Sequence, residues 1–258
     1  MILTLAAFAA AAAAPAPVST DARYKDCVAL IRTAPDRAAD AAADWRSKNG
    51  GIPAIHCQGL AFTALERWAP AAAAFEAAAQ LAERSRDHRR ADLWVEAGNS
   101  WLAADDPAKA RAAFDAALAA NLLAPQLKGE VELDRARAGV AAGDVAGARA
   151  DLDKGLALVP ADPFAWYLSA ALARRERNYP RARSDIDKAV ALAPDDAMVL
   201  LEAGNIAGIS GDPGAARSLY ERAARIAPDS RYGKAAAAAL ADNAAPAAPA
   251  AGPAAPPR

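Results

Sequence analysis

Small and large apolar residues recur along this chain at fixed distances. Prolines that close helical stretches stand at 160, 194 and 228, and the same residue classes precede each of them. Twelve residues before come Ala148, Ala182 and Ala216; eight before, Leu152, Ile186 and Tyr220; five before, Gly155, Ala189 and Ala223. Gly204, twenty-four before Pro228, is matched by Ala136 and Ala170. A period of 34 residues is the mark of a helical repeat array, here of units that each hold two amphipathic helices and a turn. The grid extends upstream. Trp94, Gly98, Trp101, Ala110, Phe114 and Ala117 take the expected places in 91–124, and Gly59, Phe62, Ala71, Phe75 and Ala78 do so in 52–85. Two insertions break the phase, RDHRR at 86–90 and PQLK at 125–128.

The phrase EAGN occurs at 96–99 and again at 202–205, each time followed within eight residues by Asp-Pro. Its glycine is expected to permit close helix contact, and its asparagine, one residue on, to point elsewhere. Asp106-Pro107 and Asp212-Pro213 read as a helix N-cap followed by proline at the first helical position, opening the second helix of a unit. Asp162-Pro163 reads the same way at the start of a first helix.

With small residues at positions 8, 20 and 27, large ones at 4 and 24 and proline at 32, the pattern resembles the tetratricopeptide repeat family over 52–230. Position 11 departs from it at Gly139 and Ala173, and position 32 at Glu83 and Leu122. The resemblance implies an all-α, right-handed α-solenoid whose first helices line a concave face that binds peptides or partner proteins. The units are 52–85, 91–124, 129–162, 163–196 and 197–230. Residues 21–51 are expected to form a degenerate helix pair and 231–242 a capping helix, because a stacked array must cover its last apolar face.

Composition adds the ends and the class. Apolar residues make up 54% of the chain but aromatics only 6%, so thin, closely packed helical layers follow from alanine's small side chain. The formal net charge of −1 excludes a global pull toward nucleic acid or acidic lipid. Residues 1–14 carry no charged side chain and precede PAPVSTDAR, which reads as a secretory signal peptide followed by a linker at 15–20. No Lys or Arg precedes the apolar run, a departure from the signal pattern; a retained anchor and a cytoplasmic protein are the alternatives. No membrane contact is expected apart from an uncleaved N-terminus. Residues 243–258 are rich in alanine and proline and read as a disordered tail of polyproline character.

Candidate chemistry is sparse. The chain has two histidines, His56 and His88, and two cysteines, Cys27 and Cys57, without ligand spacing, a phosphate loop or an HExxH motif. No catalytic residue, metal or cofactor is expected. Cys27 and Cys57 both fall at position 6 if the first pair is shifted by thirty residues. Neighbouring first helices then allow a disulfide, two reduced buried thiols being the alternative. By the family's geometry positions 2, 5, 9 and 12 face inward, and the groove candidates are His56, Val95, Asn99, Arg137, Phe164, Tyr167, Arg174, Leu201 and Asn205, joined by Leu60, Leu133 and Met198. A carboxylate clamp is not supported, because Val95 and Leu201 stand where lysine is wanted. The basic run RRERNYPRAR at 174–183 lacks stacked aromatics, so no nucleic-acid partner is expected. The resulting expectation is a non-catalytic scaffold for a protein or peptide partner in the periplasm or cell envelope. The alternative is an assembly protein that works through its outer surface or by self-association.

Overall fold

In the computed structural model, residues 19–244 form thirteen α-helices and, among the described residues, no strand. They are α1 (Thr20–Ile31), α2 (Pro35–Ser47), α3 (Gly51–Ala64), α4 (Trp68–Arg84), α5 (Arg90–Ala103), α6 (Pro107–Ala119), α7 (Pro125–Ala141), α8 (Val145–Leu158), α9 (Pro163–Arg175), α10 (Tyr179–Leu192), α11 (Ala197–Ile209), α12 (Pro213–Ile226) and α13 (Arg231–Ala244). The helices pack as six successive pairs, with α13 against the last. The apolar run 1–14 and residues 245–258 lie outside the described residues.

The same local chemistry builds five of the pairs. The connection between first and second helix is three residues long, and its middle residue is left-handed: Glu66 (φ 55), Asp105 (φ 59), Gly143 (φ 83), Arg177 (φ 59) and Gly211 (φ 86). The next N–H then reaches back to a carbonyl five residues earlier, as in Asp106 N to Trp101 O at 2.9 Å and Asn178 N to Ala173 O at 2.8 Å, which closes the first helix with the six-to-one bond of a Schellman turn. That same residue caps the second helix in four pairs. The side chains of Asp106, Asp144, Asn178 and Asp212 accept from the backbone N–H three residues on, at 2.9–3.3 Å. Asp162 and Asp196 cap the first helices α9 and α11.

Within each of these pairs one small residue of the first helix meets one large residue sixteen positions later. A Cβ on Gly59 or Gly98 would lie 2.5–2.6 Å from the ring of Phe75 or Phe114, and one on Gly204 would strike the ring of Tyr220. Where the small residue is alanine the large one is aliphatic: Ala136 shares a buried cluster with Leu152, and Ala170 with Ile186. The glycine of EAGN is the space an aromatic ring requires.

The PQLK segment is not a loop. Pro125 stands at the first helical position and the four residues form the first turn of α7, a helix of 17 residues. Arg90 likewise already belongs to α5, while Asp87 organises the turn before it by accepting from the backbone N–H and the guanidinium of Arg89 at 2.7–3.0 Å. The first pair departs from the others, since its connecting turn, residues 32–34, contains no left-handed residue and α1 buries only Cys27.

Polar side chains also cross-link the layers. Arg135 bonds Asp151 at 2.5 and 2.9 Å, Glu132 at 2.8 Å and Asp115 of the preceding pair at 2.9 Å. Thirty-four residues after Asp151, Asp185 accepts from the buried Ser169 hydroxyl at 2.6 Å and from Arg181. Both carboxylates are buried and neutralised by hydrogen-bonded cations, the condition under which burying charge is tolerated.

Candidate functional site

First helices of successive pairs approach one another (α1 with α3, α5 with α7, α9 with α11, and α11 with α13), whereas second helices make no comparable approach. The elements that crowd together lie on the inside of a curved stack, so the first helices form the concave row.

At the N-terminal end the row carries a polar chain through three helices. Tyr24 of α1 stacks on His56 of α3, with ring centroids 5.8 Å apart and planes 17° apart, and its hydroxyl meets His56 Nδ1 at 2.8 Å. His56 Nε2 lies 2.8 Å from Glu96 of α5. An ionised carboxylate only accepts, so Nε2–H donates to Glu96 and, in the neutral ring, Nδ1 accepts from the phenol. Burial, with the Glu96 charge adding to it, pushes the Tyr24 phenol above its ordinary value. His56 is therefore held by neighbours and is not an open groove position. Below it, Cys27 and Cys57 come into disulfide geometry with their Cα atoms 6.4 Å apart.

At the C-terminal end the second EAGN glutamate makes the equivalent reach to the preceding pair. Arg174 Nε donates to Glu202 at 2.6 Å, Asn205 Nδ2 donates to the same carboxylate at 3.2 Å, and the Tyr220 hydroxyl donates to Asn205 Oδ1 at 2.9 Å. Asn205, a groove candidate, is half-buried with both ends of its amide engaged by these neighbours. Asn99, at the same grid position, is exposed, because its partner aromatic Phe114 has no hydroxyl to offer. Between these ends, Phe164 and Tyr167 stack at 5.9 Å and 17°, half-buried, with the Arg137 guanidinium 6.0 Å from the Phe164 ring. Arg137 also donates to Asp134 at 2.7 Å; burial raises that carboxyl's pKa and the Arg137 charge partly opposes the shift. Burial, and then the Glu202 charge, raises the Tyr167 phenol.

Two further expectations fail. Val95 and Leu133 are buried in the apolar core, since position 5 of a first helix also touches its neighbour's first helix. Leu201 is half-buried against the cluster that α13 completes. Of the remaining candidates on first helices, Asn99 and Arg137 are exposed, and Phe164, Tyr167 and Arg174 are half-buried. Tyr24, Glu96 and Glu202 escaped sequence reasoning and Tyr220 was read there only as a packing residue, although the repeated glutamate of EAGN was the available signal. Beyond Arg174 the concave face opens into a cleft of about 1020 Å³ lined by Asn205, Ile209, Tyr220, Leu240 and Ala241 among others. Among the described residues no cluster of His, Cys, Asp and Glu has metal-binding geometry, and no helix is long and apolar enough to cross a membrane.

No family model and no curated protein matches the sequence. Solved structures do. PilW, described as a widely conserved type IV pilus biogenesis factor, aligns at TM-score 0.68 with 19% identity over 84% of this chain and 97% of its own. PilF of Pseudomonas aeruginosa aligns at 0.66 with 18% identity over 85% and 97%. YrrB, described as a TPR protein with an unusual peptide-binding site, aligns at 0.55 with 17% identity over 76% and 96%. The chain has the tetratricopeptide-repeat fold. In that fold the small residue at position 8 and the large one at position 24 are the Gly–aromatic and Ala–aliphatic pairs described above.

Proposed function

We propose that this chain is a non-catalytic scaffold that binds an extended segment of a protein partner on its concave face, in the periplasm or cell envelope. The observation that carries the reading is the row Asn99, Arg137, Phe164, Tyr167 and Arg174. It offers an unengaged amide, two guanidinium groups and a stacked aromatic pair along one face of successive first helices. Amide and guanidinium groups serve the polar backbone of an extended ligand, and half-buried aromatics serve its apolar side chains. The envelope location rests on the apolar run at 1–14 and on the paired cysteines, because disulfides persist in oxidising compartments. YrrB's description as a TPR protein with a peptide-binding site is compatible with the binding role, and PilW's as a pilus biogenesis factor with the location.

The test is fluorescence-polarisation binding of an extended-peptide library to the full chain. Asn99→Ala should weaken a bound peptide by about 1 kcal/mol, and Tyr167→Ala by about 2 kcal/mol or more, with helical circular dichroism unchanged. Asn205→Ala is not a clean probe, since it also strips the Tyr220 hydroxyl of its acceptor. Binding that survives Asn99→Ala with Tyr167→Ala would transfer the function to the outer surface. Leu192 and Ile226, 45% and 41% exposed and thirty-four residues apart, are the apolar positions there that a self-associating array would use.

A further inference from the structure

The ninth position of successive first helices holds Leu60, Asn99, Arg137, Ala171 and Asn205. Only Ala171 is small. It falls where α7 and α9 make no approach comparable to that of α5 to α7 or of α9 to α11. A small side chain at a wider gap leaves a hollow. The hollow measures about 200 Å³, with buried Leu152 and Leu172 as its floor and half-buried Val140, Leu168 and Ala171 as its walls. Pockets for small molecules run to about 300–1,000 Å³, so this one suits a single large apolar side chain.

Two guanidinium groups stand at its rim, Arg137 from α7 and Arg175 from α9, both exposed. Arg137 donates one N–H to Asp134 and is steadied by the Phe164 ring, 6.0 Å away. A guanidinium has five N–H donors, so most of those on Arg137 stay open. Arg175 has no hydrogen-bond or ion-pair partner among the described residues. The nearby carboxylates are already answered, Asp134 by Arg137 and Glu176 by Arg149, which leaves the Arg175 charge uncompensated. An apolar side chain with carboxylates beside it complements both the hollow and its rim. In an extended ligand, alternate residues face the same way and stand about 6.6 Å apart. Carboxylates two residues before and after the apolar one are thus about 13 Å apart, one toward α7 and one toward α9.

We propose that the hollow between α7 and α9 receives a leucine-sized side chain of an extended partner segment, with an acidic residue two places to either side reaching Arg137 and Arg175. The inference rests on the concave-face reading and specifies the partner's chemistry: an acidic segment with an apolar anchor. The anchor is desolvated in a formed pocket and carries most of the affinity. The cations are exposed, so they select the sign of the ligand's charge and speed its association, an effect that salt weakens.

The experiment uses the full chain and fluorescent synthetic peptides, blocked at both ends and made of serine except at three positions. The centre is leucine or alanine, and the positions two residues to either side are both glutamate or both lysine. The leucine peptide with glutamate flanks should bind about thirty-fold more tightly than its alanine counterpart. It should bind about ten-fold more tightly than the leucine peptide with lysine flanks at low salt, and this second ratio should shrink as salt is added. Ala171→Leu gives α9 the residue that α3 already carries at this position. It should fill the hollow and remove the leucine preference with helical circular dichroism unchanged. Arg175→Glu, at an exposed side chain, should abolish the preference for glutamate over lysine. Equal binding of leucine and alanine peptides overturns the proposal, as does a leucine preference that survives Ala171→Leu or equal binding of the two flanks. If library peptides bind and lose affinity on Tyr167→Ala while these preferences are absent, the acidic-anchor inference is wrong and the concave-face reading stands. If no peptide of either set binds, both fail.

Discussion

Gly98 faces the Phe114 ring at a distance that admits no Cβ. Gly98→Ala should therefore cost roughly 1–3 kcal/mol of stability, the usual range for overpacking a filled core. Adding Phe114→Leu should return part of that loss, because alanine over leucine is the packing already used by Ala136 and Leu152. A double-mutant cycle by thermal unfolding measures the coupling, and additive losses would show that the two residues do not share one space. The turns give a second residue-scale prediction. Arg177 occupies a left-handed position that Gly143 and Gly211 fill in the neighbouring pairs, and its own side chain is exposed. Relief of the Cβ clash outweighs the added unfolded-chain entropy of glycine, so Arg177→Gly should stabilise by about 0.5–1 kcal/mol. An unchanged or lowered melting temperature would contradict that balance.

Among the helices, α1 is the least anchored. It buries Cys27 alone, and its connection to α2 lacks the left-handed turn that closes the other first helices. A 12-residue helix is marginal by itself in water, so its place depends on the Cys27–Cys57 link across 30 residues, helped by Tyr24 on His56. In the loop-entropy model a link of that length contributes about 3–4 kcal/mol. Non-reducing peptide mapping should find the two cysteines joined. Cys27→Ser should release α1 while sparing α5 to α12; amide exchange restricted to 20–31 would be the signature, and unchanged protection there would refute the dependence. Element boundaries carry a related lesson. The four residues inserted at 125–128 lengthen α7 because Pro125 suits the first helical position. An insertion that keeps helical propensity and starts on proline adds a turn to a helix as readily as it adds a loop.

At the scale of the whole molecule the stack is quasi-one-dimensional. Among the described residues each interior pair touches a neighbour on both sides and each end unit only one, so stability is a sum of local and nearest-neighbour contributions. Amide exchange should be slowest in the middle, α7 to α10, and faster toward α2 and α13. Uniform protection over all thirteen helices would instead mark a single cooperative unit. The charge network around Arg135 and Asp151, and its counterpart at Ser169, Asp185 and Arg181, lies in that middle region, and its bonds from Arg135 to Asp115, from Arg149 to Ser169 and from Arg181 to Asp153 tie adjacent pairs across their boundary.

The amino-acid sequence by itself determined the repeat, the fold class and the caps at Asp106, Asp162 and Asp212, while it left the two cysteines as a possible bridge that the packing of α1 on α3 then brought together. Repeat, fold class and caps follow from local residue chemistry and from a period that each unit repeats, so they are readable without knowing what touches what. Tertiary structure alone decided which inward positions are open. Val95 and Asn205 share a grid with residues that reach the groove, yet one is covered by the neighbouring pair and the other is engaged by Tyr220 and Glu202. His56 was a lone histidine until α1 and α5 placed Tyr24 and Glu96 beside it. A repeat pattern specifies the contacts a unit makes within itself; exposure depends on the side chains of the next unit, and those vary from copy to copy.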